Sequence, residues 1–181
     1  RLVNLYFQQA MFNDYLGLKV GRIAQFDDFS RASAFGYYMN NAFDGQPVGF
    51  FFMGPFTAYP VTTWGALARS GYLTGDQEGI YAMVGAYGAD PTLQDVDNHG
   101  TNFSFDFDFG ANIMGEIGYK HDWVQNTTGN PGKIAVGGWW FTGPFPKFNG
   151  GPANGAGGFF YFIHQNLYNE ASGEAPSRER L

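Results

Sequence analysis

Residues 103–120 alternate with a period of two. Phe103, Phe105, Phe107, Phe109, Ala111, Ile113, Gly115, Ile117 and Tyr119 take the odd positions, and Ser104, Asp106, Asp108, Gly110, Asn112, Met114, Glu116, Gly118 and Lys120 the even ones. A helix with 3.6 residues per turn would smear the two sets around its axis, whereas a strand sends successive side chains to opposite faces. The pattern predicts one long strand with an apolar and a polar face. Shorter runs repeat it: Leu16, Leu18 and Val20 oppose Gly17, Lys19 and Gly21; Ile134, Val136 and Trp140 oppose Lys133, Ala135, Gly137 and Trp139; Phe159, Tyr161, Ile163 and Leu167 oppose Phe160, Phe162, His164 and Asn166; Val3, Leu5 and Phe7 oppose Asn4, Tyr6 and Gln8. Residues 61–70 and 79–88 are weaker strand candidates, interrupted by glycine and without clean alternation. About seven strands are expected, in an all-β, antiparallel arrangement.

Turn signals separate these runs: Asn13-Asp14, Gly75-Asp76, Gly129-Asn130-Pro131-Gly132 and the glycine-rich stretch 149–158. The first link is short enough for a hairpin. Residues 24–60 form a long insertion, with a candidate short helix over 30–43 and a Gly- and Pro-punctuated stretch after it; loops of this length are usually functional. Residues 1–168 then read as one β unit with this insertion, and the charged segment 169–181 as a solvated tail or loop. Asn4 to Gln8 spells the core of a protease site used in affinity tags. The flanking Val3 and Gln9 do not fit that site, and the segment continues the period-two pattern.

Composition decides what the apolar faces meet. Of 181 residues, 14% are charged and 19% aromatic, with Phe 20, Tyr 11, Trp 4, Gly 27 and Cys 0. The aromatic content argues against disorder, and the net charge of −6 against a nucleic-acid surface. Without cysteine, disulfides and thiolate metal sites are absent. No run approaches the ~18 consecutive apolar residues of a membrane helix. A soluble sandwich would be expected to clothe its outer strand faces in Lys and Glu, for which this chain has too few charges. Aromatics also gather toward strand ends, at Tyr15, Tyr59, Trp64, Tyr87, Tyr119, Trp123, Trp139, Trp140 and Tyr168, as in the interfacial girdles of membrane barrels. The residues therefore favour a transmembrane β-barrel whose apolar face meets lipid, with a soluble, carbohydrate-binding β-sandwich as the alternative.

The residues also carry a resemblance. Gly21-Arg22, Asp27-Asp28-Phe29, Asn40-Asn41-Ala42-Phe43 with Gly45 and Pro47, Ala58-Tyr59-Pro60 and Thr63-Trp64-Gly65-Ala66 follow one another in order. They are followed by Gly85-Ala86-Tyr87, His99-Gly100, Glu116-Ile117-Gly118-Tyr119, Pro131-Gly132-Lys133, Gly137-Gly138-Trp139 and Gly158-Phe159-Phe160 leading to Gln165. This succession resembles the carbohydrate-selective outer-membrane porins of the OprB type. The resemblance implies a barrel of about sixteen strands in a bacterial outer membrane, passing small sugars passively, with inward-folded loops narrowing the pore. Seven strands of about ten residues cannot close even a barrel of about eight. The chain is thus expected to be about half of a porin: a fragment, an incompletely traced chain, or a member closing its barrel with other copies. Sugars and outer-membrane lipid are the expected partners, nucleic acid is not, and the barrel's remaining strands or a homo-oligomer would complete it.

A sugar channel works by hydrogen bonding and stacking along its wall, without covalent chemistry. By parity, Lys19, Asn112, Glu116, Lys133, Trp139, His164 and Asn166 should line the pore. Arg69 is added because a charge facing lipid near the midplane would cost about 2–4 kcal/mol, and Arg22 is expected at the membrane edge or after a bulge. In the insertion, Asn40, Asn41, Phe43 and Gln46 either form the constriction or pack on the rim. No enzyme is expected. There is no G-x-S-x-G elbow, no phosphate loop, and His99, His121 and His164 lack zinc spacing. Asp106, Asp108 and Glu116 form no persuasive glycosidase pair. Asp95, Asp97, His99, Gly100 and Asp106 mimic a calcium loop but put His at position five and Asp at twelve. No cofactor is expected; a structural calcium at Asp95 and Asp97 is the alternative to a plain polar loop.

Overall fold

The structure, a computed structural model, describes residues 4–31, 54, 56–58, 61–71, 79–90, 92, 103–121, 132–147 and 149–167. Seven strands cover most of them: β1 (Leu5–Met11), β2 (Leu16–Ile23), β3 (Thr63–Gly71), β4 (Gly79–Gly88), β5 (Ala111–His121), β6 (Gly132–Pro146) and β7 (Pro152–Gln165). They form a single antiparallel meander in sequence order, each strand pairing with its chain neighbours. Within the described residues β1 and β7 are the two edges. Leu5 to Gln8 of the NLYFQ stretch belong to β1, which pairs in register with β2 from Leu5↔Arg22 to Met11↔Leu16.

The β1–β2 hairpin turns through Phe12, Asn13 and Asp14, all at φ between 54° and 66°. Asn and Asp tolerate this left-handed region best among non-glycine residues, and the Tyr15 N–H closes the turn on the Phe12 carbonyl at 3.2 Å. The β6–β7 link is tighter than the glycine-rich sequence suggests. The Lys147 N–H donates to the Gly151 carbonyl and the Gly150 N–H to the Lys147 carbonyl, both at 3.0 Å, and most of the stretch 149–158 belongs to β7.

The two faces of the sheet differ as the alternation predicts. Leu18, Val20, Ile80, Val84, Ile113, Ile117, Ile134, Val136, Trp140, Phe159, Tyr161 and Ile163 stand on one face and are exposed. The other face holds Lys19, Leu67, Tyr81, Met83, Tyr87, Asn112, Met114, Glu116, Ala135, Trp139, Phe141 and Phe160, all buried. This is the reverse of a water-soluble sheet, in which the apolar side hides. Glycines explain why β3 and β4 lack a clean pattern. A Cβ at Gly85 would come 2.6 Å from the Tyr87 ring, and one at Gly118 2.5 Å from Tyr81. The glycines give up their side chains so that tyrosines can lie flat along the covered face.

One expectation fails. The strand predicted over 103–120 begins only at Ala111. Residues 103–107 join no ladder, and a turn at Asp108 and Phe109 leads to Gly110 at φ 97°. Alternation of residue types does not require ladder pairing, so the period-two pattern could not separate this hook from the strand it enters. The insertion is described over 24–31, at 54 and over 56–58; it starts with a 3-10 turn at Gln25–Asp27. The candidate helix over 30–43 and the tail 169–181 lie essentially outside the described residues.

Candidate functional site

The described ends of the insertion pack on the covered face. They are stapled to each other. The Gln25 N–H donates to Thr57 Oγ1 and the Thr57 N–H to Gln25 Oε1, both at 3.2 Å, and the Phe26 N–H donates to the Thr57 carbonyl. From this staple Phe26, Phe29 and Phe56 reach the sheet and are buried. Phe56 meets Trp139 edge-on with centroids 5.0 Å apart, and Phe29 meets Tyr87 at 6.3 Å. Edge-to-face pairing of this kind adds about 0.5–1.5 kcal/mol per pair beyond simple area burial.

Polar contacts fix the segment more firmly. Glu116, on β5, has a fully buried side chain. Tyr81 Oη donates to its Oε1 at 2.6 Å, the Ser30 backbone N–H to its Oε2 at 2.7 Å, and Lys133 Nζ stands 3.5 Å from Oε1. Three adjacent strands and the insertion thus meet at one carboxylate. Lys133 Nζ also donates to the Arg31 carbonyl at 3.1 Å and lies 4.9 Å from the Tyr81 and Phe162 ring centroids. A second ion pair joins Lys19 to Asp28 at 2.8 Å, with both side chains about nine-tenths buried. Asn4 Nδ2 donates to Asp27 Oδ2, and Asn112 Nδ2 reaches Gln25 Oε1 at 3.4 Å. Buried charges persist only when paired and hydrogen-bonded, and each of these is. Among the described residues, four buried polar atoms, Gln25 Nε2, Tyr87 Oη, Asn112 Oδ1 and Trp139 Nε1, have no hydrogen-bond partner.

The residues singled out from the sequence fall on this face, but not as an open lining. Lys19, Asn112, Glu116 and Trp139 are buried under the insertion. Lys133, His164 and Asn166 are half-buried on the same parity. Arg69 pairs laterally with Gly17 and Met83 and also belongs to the covered face, because its parity mate Leu67 is buried there at 2% exposure. Arg22 has the opposite parity, beside Leu5 and Trp64, yet is 5% exposed: Nη2 donates to the Thr62 carbonyl (2.8 Å) and the Phe103 ring lies over it at 5.0 Å. Asn40, Asn41, Phe43, Gln46, Asp95 and Asp97 lie outside the described residues, and among those described no group of three or more acidic or histidine side chains is placed to hold a metal. Tyr81, Gln25, Asp28, Ser30 and Thr57 were not found from sequence. Asp28 was visible only as part of the Asp27-Asp28-Phe29 motif, and a backbone donor such as that of Ser30 leaves no residue signature.

A seven-stranded meander with an exposed aliphatic band on one face, and a chain segment packed by ions and aromatics on the other, is the wall of a transmembrane β-barrel. A sandwich would need a second sheet over the aliphatic band, and the described strands form one sheet only. The family model for the carbohydrate-selective porin, OprB family, matches residues 1–177, and the chain belongs to that family. Among solved structures, the high-pH structure of Pseudomonas putida OprB matches with a TM-score of 0.75 at 22% sequence identity, over 91% of this chain and 40% of that one. The chain therefore spans two-fifths of that protein's length. No curated protein sequence aligns significantly with it. The setting is the bacterial outer membrane; the exposed band is the lipid face, and the covered face looks into the barrel.

Proposed function

We propose that the chain supplies part of the wall and the inward-folded constriction of a passive outer-membrane channel for sugars and other small hydrophilic solutes. The observation that carries this reading is the insertion itself, anchored on the barrel's inner face through Glu116, Lys133 and Lys19. A barrel wide enough for solutes needs such an element to become selective, since selectivity depends on pore width and on the groups that line it. The proposed roles divide by burial. Arg69, His164 and Asn166, half-buried, border the solute path. Lys19, Asn112, Glu116, Lys133 and Trp139 hold the insertion in place. Asn40, Asn41, Phe43 and Gln46, which fall in sequence between its anchored ends, supply amides and aromatic faces to the constriction. Edge strands β1 and β7 join further strands, from the same polypeptide or from other copies, because unpaired backbone edges are excluded from lipid. No covalent step and no cofactor enter this reading.

Liposome swelling with the full-length polypeptide tests it. Glucose is expected to enter faster than a disaccharide, and Glu116→Gln, which leaves one acceptor oxygen for both Tyr81 and the Ser30 N–H and removes the charge paired with Lys133, to narrow that difference. Equal rates for all solutes in the unmodified protein would refute selective passage.

A further inference from the structure

We propose that residues 103–109 form an apron outside the barrel that lies in the lipid interface, held by the outward-facing rim of β2–β4. Phe103, Phe105, Phe107 and Phe109 are 45%, 74%, 40% and 40% exposed, an aromatic density that a loop in water has no reason to present. The apron leans on residues of the lipid face. Phe105 packs edge-on to Trp64 at 5.7 Å and to Phe107 at 5.0 Å, and Phe103 covers Arg22. Leu18, Val20, Ile80 and Val84 on the same strands belong to the lipid-facing band, so the apron continues a surface already wetted by lipid, and lipid is its occupant.

Irregular backbone can approach lipid only if its polar groups are satisfied within the protein. Several of this segment's are. The Phe103 carbonyl accepts from Trp64 Nε1 at 3.3 Å, the Asp108 N–H donates to Asp106 Oδ1 at 2.7 Å, and the Gly110 N–H closes on the Phe107 carbonyl at 2.8 Å. Trp64 thereby loses its free donor, and Arg22, an outward cation on the lipid side, is covered by a ring and bonded to Thr62. Ser104, Asp106 and Asp108 alternate with the rings, which sets the depth at the headgroup boundary, not the hydrocarbon centre. The apron belongs to the end where the 39-residue β2–β3 and 22-residue β4–β5 links emerge, as residue counts between Ile23 and Thr63 and between Gly88 and Ala111 give (62 − 23 and 110 − 88), and long links mark the extracellular side of such barrels.

The inference rests on the membrane setting but not on which solutes pass. The 181 residues hold no cysteine, so once any cysteine elsewhere in the full-length polypeptide is replaced by serine, single nitroxide labels can be placed at Phe105→Cys, with Val84→Cys as a lipid-face control and Lys147→Cys as an aqueous control, in that polypeptide reconstituted in phosphatidylcholine vesicles. At 74% exposure, Phe105 can be replaced without disturbing a core. The Phe105 label should collide more often with oxygen than with a water-soluble nickel chelate, with a ratio between those of the two controls. A ratio like that at Lys147, or spin–spin broadening that marks a second copy at the apron, would overturn the proposal. If the Val84 label also read as aqueous, the membrane setting would fall with it.

Discussion

Glu116 carries an unusual share of the contacts that hold the insertion. Its carboxylate is fully buried and receives a phenol, a backbone amide and an ammonium. Breaking a buried pair by removing one partner costs about 3–5 kcal/mol, because the other charge is left uncompensated. Lys133 keeps the Arg31 carbonyl and two aromatic faces when the carboxylate is gone. Glu116→Gln is therefore expected near the low end, about 3 kcal/mol, measured as a shift in urea unfolding of the reconstituted protein. Adding Lys133→Met should recover much of the loss, since an apolar side chain of similar size leaves no orphan charge. Tyr81→Phe removes one hydrogen bond to a charged acceptor and is expected to cost about 1.5–3 kcal/mol. Should the double variant prove as unstable as the sum of the two single changes, Glu116 and Lys133 would not be coupled.

At the scale of elements, glycine decides where the inner-face aromatics fit. Gly118→Val on β5 would drive a side chain into Tyr81, and overpacking of this kind costs about 1–3 kcal/mol. Gly115→Ala on the same strand meets nothing closer than the Met83 carbonyl at 3.8 Å and should be neutral or stabilising by roughly 0.5 kcal/mol. Comparing the two unfolding midpoints separates a steric role from a general cost of substituting glycine in a strand. The same contrast explains what could be read from sequence. β5 was legible from Ala111 onward because Ile113, Ile117 and Tyr119 face lipid while Asn112 and Glu116 face inward. β3 and β4 were faint because Gly65 and Gly85 stand where an alternating side chain would have marked the face. The start of β5 was misplaced because the apron is as alternating as a strand. The insertion's anchors were illegible for another reason: Ser30 and Glu116 are 86 residues apart, and nothing local in either announces the other.

For the whole molecule the decisive property is which solvent each face meets. The aliphatic band could in principle be the surface of a water-soluble sheet, and a charge placed on it distinguishes the two environments. Val84 sits in the middle of β4, 54% exposed on the band, between Met83 and Gly85 of the inner face. Val84→Arg in lipid is expected to cost about 2–4 kcal/mol, the range for arginine near the midplane of a barrel. In water the same change on an exposed strand position would stay within about 0.5 kcal/mol. His164→Glu on the inner face of β7 serves as the control, because Lys133 stands opposite it in the ladder, an opposite charge there is favourable, and a half-buried inner position has access to water. The expected result in a urea-driven folding equilibrium into vesicles is a large loss for Val84→Arg and a small one for His164→Glu. Equal small losses would put water on both faces, and the barrel wall would then have to be abandoned for a sheet in solution.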